Sequence, residues 1–69
     1  MDKQTKELIA IGASVACNCH PCVAFHTEKA GKLAIDPALI REAMAVGQMV
    51  RKGAAGQMDE LLDKLTNAE

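Results

Sequence analysis

Wherever apolar residues cluster in this chain they recur three and four positions apart, and nowhere do they alternate one by one. That spacing matches the turn of an α-helix and not the two-residue repeat of a strand, so the chain is restricted to helices. Leu8, Ile11 and Val15, flanked by Ile9 and Ala16, form the first stripe, and Asp2 is placed to cap it. Gly12 and Ala13 leave this helix a slim side where another helix can approach closely. A second helix is expected from about Pro21 to Ala30, with Gly31 as its C-cap and a loop to Ile35. Asp36-Pro37 reads as an N-cap followed by a first helical residue. The third helix then runs to about Arg51 or Lys52, with Leu39, Ile40, Ala43, Val46, Gly47 and Val50 inward. Gly53 is expected to stop it, with Arg51 and Lys52 matching its negative end. After a turn at Ala54–Gly56, a fourth helix over Gln57–Thr66 presents Met58, Leu61, Leu62 and Leu65, and the residues from Asn67 onward fray. The expected fold class is therefore all-α, a small four-helix domain spanning residues 1–69 without internal repeats.

So short a chain lies near the lower limit for independent stability, since a domain of about 60 residues buries only ~60% of its unfolded surface. Yet 49% of the residues are hydrophobic, and a single aromatic, Phe25, is among them. Small apolar side chains in that proportion suit close-packed helices, and their excess points to burial against further subunits, a homo-oligomer. A compact four-helix monomer is the alternative. The net charge of −1, with acids and bases interspersed, offers no basic patch, so nucleic acid is not an expected partner. No leader pattern opens the chain and no run of 18 apolar residues occurs, so no membrane association and a cytoplasmic location are expected. Three cysteines within six residues cannot staple distant parts of a fold together.

Those cysteines carry the chemistry. Cys19-His20-Pro21-Cys22 is a CxxC pair, able to close a small disulfide ring and to reopen it. The pair lies at the expected start of the second helix, where the positive end of the helix dipole favours a thiolate. Cys22 and His26 are i and i+4 on one helical face, so the imidazole can take a thiol proton or stand as imidazolium beside the thiolate. A competing reading is metal binding, because Cys17, Cys19, His20, Cys22 and His26 are five possible ligands and zinc takes four. Against it, no Cys or His follows His26, and all five crowd into ten positions. Cys17 reads as a core residue closing the first helix, His20 as exposed loop, and Met44, Met49 and Met58 as helix packing. Inert buried thiols are the remaining reading for the pair.

Glu7, Cys19, Cys22 and His26 together stand as E-x11-C-x2-C-x3-H. This resembles the active-site motif of the AhpD-like alkylhydroperoxidases, within the carboxymuconolactone decarboxylase family. The segments Leu8–Ala16 and Val50–Ala54 are similar too, and the likeness covers roughly Glu7 to Leu62. The resemblance implies an AhpD-like helical fold assembled as trimers or hexamers. It implies a thiol-dependent peroxidase or disulfide oxidoreductase acting on a peroxide, rereduced by an external dithiol or thiol protein, with no cofactor or metal required. Glu7 would be the outer member of a proton relay, His26 the base beside the thiols, Cys22 the attacking and Cys19 the resolving cysteine, or the reverse. Some relatives carry a histidine immediately before the second cysteine, where this chain has Pro21. Members without the cysteines decarboxylate a lactone instead. Glu7 lies beyond the level of His26 when residues are counted back from the turn. A tilted crossing, a long rotamer, a bridging water or a Glu7 from another subunit would have to close that gap.

Overall fold

The computed structural model describes residues 1–67, and among them there are three helices and no strand: α1 (Lys3–Ala16), α2 (His20–Lys32) and α3 (Pro37–Asn67). The helix starts follow local chemistry. The Asp2 carboxylate accepts from the Thr5 amide at 2.7 Å, and Asp36 accepts from the Ala38 amide at 2.9 Å ahead of Pro37.

Both connections are closed by the same backbone device. After α1, Asn18 takes a left-handed φ of 58°, its amide donates to Val15 O, and the Cys19 amide donates to Ser14 O. After α2, Ala34 takes φ 57°, its amide donates to Gly31 O, and the Ile35 amide donates to Ala30 O. Each is a Schellman closure, in which two successive amides beyond the helix satisfy its last open carbonyls. The expected C-cap at Gly31 is thus corrected: α2 continues through Gly31 to Lys32, and Leu33 is its C-cap. The reason lies in packing, because closing two residues later puts Ile35 and Ala30 together in the buried core.

The expected third and fourth helices are one. α3 passes through Gly53, Ala54, Ala55 and Gly56 without a break. Each glycine costs a helix interior only about 1 kcal/mol relative to alanine, and the two alanines between them are the best helix formers. No proline enforces a stop. At 31 residues, α3 is about 46 Å long. It gives the chain dimensions of 55 × 20 × 19 Å, so the single chain is elongated and not the compact four-helix unit of the alternative reading. Residues 68 and 69, part of the segment expected to fray, lie outside the described residues. Among the described residues no helix is long and apolar enough to cross a membrane.

The fully buried apolar core is small: Ile11, Ala30 and Ile35, with Leu8, Leu33, Ile40, Ala43 and Met44 packed partly against it. α1 crosses α3 where Gly47 meets Gly12. A methyl group built on Gly47 would press on the Gly12 carbonyl and lie 2.7 Å from Val15 Cβ. The slim side expected at Gly12 is therefore used. The inner face expected for the third helix is only half covered, since Leu39, Val46 and Val50 are exposed and Gly47 is the buried residue of α3. Met49 and Met58, expected to pack, are also exposed.

Candidate active site

Cys19 is held from both sides. It is the second residue of the closure that ends α1, donating its amide to Ser14 O at 2.9 Å, and it is also the N-cap of α2. Cys22, the third residue of α2, is joined to it as a disulfide with a Cα–Cα separation of 5.3 Å. His20 and Pro21 occupy the first two helical positions, so His20 is exposed, as expected, but helical. No side chain caps α2. With the ring open, the first-turn amides and the helix dipole are placed to stabilise a thiolate at this end.

One turn further along α2, His26 reaches back to α1. Its Nδ1 lies 2.7 Å from Oε1 of Glu7, within one chain and with no bridging group. The three-residue connection Cys17–Cys19 keeps the α1–α2 hairpin tight, so the two positions are offset by only about one turn. Glu7, on its own merely a solvated helix residue by sequence, is 6% exposed. The hydrogen bond from His26 holds the Glu7 carboxyl below its usual range, opposed by burial and reinforced by the nearby Lys29 charge. A carboxylate facing Nδ1 makes that nitrogen the protonated one, which leaves the lone pair of a neutral imidazole on Nε2. In a helix the side chain at i+4 leans back over residue i, so His26 and Cys22 share one face of α2. Phe25, 59% exposed, packs edge-on against the His26 ring.

Two residues join the site that the sequence reading did not assign to it. Lys29 Nζ is 3.5 Å from Glu7 Oε2, so the buried carboxylate is flanked by two potential cations from α2. Its spacing of i+3 from His26 was the available signal. Arg51, expected to serve the end of its own helix, instead donates to Asn18 Oδ1 at 2.8 Å and to Val15 O at 3.5 Å. It fastens the left-handed turn immediately before Cys19. Cys17, expected in the core, is exposed, with its thiol directed to the Ser14 carbonyl of its own helix. The chain turns away at Asn18 before that side chain can be covered. Among the described residues, no three His, Cys, Asp or Glu side chains gather so as to hold a metal ion. The five-ligand zinc reading therefore finds no assembled site.

Neither the curated proteins nor the solved structures returned a match to this chain. The match that was found is to a family, and it spans residues 1–58, from the cap of α1 through the site to the middle of α3. With a CxxC at a helix start, a histidine one turn on and a glutamate reaching it from the preceding helix, the chain belongs to the carboxymuconolactone decarboxylase family, which includes AhpD-like proteins.

Proposed function

We propose that the protein is a thiol-dependent peroxidase or disulfide oxidoreductase of the AhpD-like type, cycling between a Cys19–Cys22 dithiol and the disulfide. The observation that carries this reading is the Glu7–His26 hydrogen bond of 2.7 Å on the helix that begins with the CxxC pair. A glutamate that fixes the imidazole with its free nitrogen toward a thiol is the arrangement that general-base activation requires.

His26 Nε2 takes the proton of the Cys22 thiol, and Glu7 stabilises the imidazolium that results. The Cys22 thiolate attacks one peroxide oxygen, the O–O bond breaks, and the departing alkoxide or hydroxide takes the proton from His26. Cys22 is now a sulfenic acid. The Cys19 sulfur attacks it, the S–S bond forms and water leaves. An external dithiol then reduces the disulfide by exchange, becoming oxidised itself. The i, i+4 relation of Cys22 to His26 favours Cys22 as the attacking sulfur. This chemistry draws on no cofactor or metal.

The reading is tested by thiol titration after peroxide treatment of the reduced protein. Two thiols are expected to disappear together and to return with dithiothreitol. Steady-state peroxide turnover with a panel of dithiols is expected to collapse in Cys22→Ser and His26→Gln. Unchanged turnover in both variants would remove the enzymatic reading.

A further inference from the structure

Cys19 is fixed through its backbone. Its amide donates to Ser14 O at 2.9 Å and its carbonyl accepts from the Val23 amide at 3.0 Å, so it belongs to the end of α1 and the start of α2 at once. Where its sulfur lies therefore depends on the turn before it, in which Asn18 takes φ 58°. The backbone bonds of that turn all come from within five residues. Arg51 ties it from thirty-three positions away, on α3.

The tie has a physical reason. α1 has no basic residue in its own last turn, so the negative end of its dipole lacks a cation of its own. Arg51 supplies one. It lies one turn beyond Gly47, whose missing side chain lets α3 close on Gly12 and Val15. From there one guanidinium nitrogen donates to Asn18 Oδ1 at 2.8 Å and to Val15 O at 3.5 Å. Val15 O also accepts the Asn18 amide, so that nitrogen bridges the two ends of the left-handed turn.

We propose that Arg51 is a positioning residue for the cysteine pair: by clasping the Asn18 turn from α3 it holds Cys19 where its sulfur meets Cys22, and so favours the disulfide over the dithiol. The proposal rests on the dithiol–disulfide cycle described above. Ring closure gains from every constraint that already holds the two sulfurs at bonding range, because less freedom is lost when the bond forms. The Cα atoms of the pair stand 5.3 Å apart, a separation that disulfides span without backbone movement. A released turn lets Cys19 wander from that place in the open form. The guanidinium charge works in the opposite sense, since it would favour thiolates and hence the dithiol. Arg51 is exposed, so water and salt screen that charge and the geometric effect prevails. Coupling is reciprocal: if the clasp stabilises the disulfide, the disulfide strengthens the clasp by the same factor.

The test is equilibration of the full chain with glutathione buffers, in a Cys17→Ser background so that a single pair exchanges. Oxidised glutathione takes two electrons and two protons from the pair as the Cys19–Cys22 bond forms, and leaves as two thiols. Acid quenching and alkylation then count the open pairs. Arg51→Met is expected to shift the equilibrium toward the dithiol by about tenfold, equivalent to about 30 mV. Asn18→Gly keeps a residue suited to positive φ but removes the acceptor, and is expected to give the same shift. The double variant should shift no further than either single one, and Arg51→Lys should fall between parent and Arg51→Met. Urea unfolding should show Arg51→Met costing more stability in the oxidised than in the reduced chain, by that same factor.

A residue that merely packs α3 would lower stability equally in both redox states and leave the equilibrium where it was, and this result overturns the proposal. So does a shift toward the disulfide, which would mark Arg51 as a charge acting on the thiolates, or a double variant whose shift is the product of the two. A parent pair that does not exchange with glutathione at all sinks the redox reading and the proposal with it. A parent that exchanges beside variants that match it sinks the proposal alone.

Discussion

Nδ1 of His26 and Oε1 of Glu7 are 2.7 Å apart, a contact between helices made by residues nineteen positions apart in the chain. The carboxylate is buried while the imidazole remains partly open, so the pair has an inner, charged member and an outer one that faces solvent. That polarity is what a relay ending at a thiol needs. It also makes the anionic form of Glu7 the quantity to test.

Glu7→Gln keeps the shape and a possible hydrogen bond to His26 but removes the charge. An amide can present its NH₂ to Nδ1 as well as its oxygen, so the tautomer with a free Nε2 is no longer enforced. Peroxide turnover is expected to fall by about 10²-fold or more, the usual worth of a positioned general base. Far-ultraviolet circular dichroism should remain that of the parent.

The lowered Glu7 pKa has a pH consequence. A carboxyl that ionises more readily in the folded chain contributes stability in full above its ordinary value of 4.5. The contribution is lost as pH falls through the lower folded value. Melting temperatures of parent and Glu7→Gln should therefore converge at acid pH and separate above that window. Lys29→Met removes one of the charges holding Glu7 ionised, so its acid transition should begin at higher pH, and Lys29→Arg should restore the parent profile.

Two glycines of α3 should respond in opposite directions. Gly47→Ala places a methyl group against Val15 and the Gly12 carbonyl and should cost about 1–3 kcal/mol through the forced separation of α1 from α3. Gly53→Ala meets nothing within 4 Å and should stabilise by about 0.5–1 kcal/mol if the helix is continuous there. Urea unfolding of both variants reads the difference. A destabilised Gly53→Ala would restore the broken helix.

Ala34 holds a left-handed φ of 57° at the end of α2, a conformation that costs an L-residue roughly 1–2 kcal/mol. Ala34→Gly removes that strain and gives up some unfolded-state restriction in return. A net gain of about 0.5–1 kcal/mol is expected in chemical denaturation, with no effect on thiol chemistry.

Much of this architecture was legible in the residues because it is local. Asp2 and Asp36-Pro37 begin helices through contacts within four residues, and the CxxC pair and His26 share a face because one helix carries both. From the residues alone came the helical class, two helix starts and the position of the cysteine pair at the start of α2. Whether Gly53 ends a helix could not be read the same way, since its local cost is about 1 kcal/mol and neighbouring alanines oppose it. Burial of Glu7, recruitment of Lys29 and the clasp of Arg51 on Asn18 were decided only by the tertiary structure. They depend on how tightly α1 and α2 fold back at Cys17–Cys19 and where α3 crosses at Gly12 and Gly47. No spacing along a single helix encodes the distance between two of them.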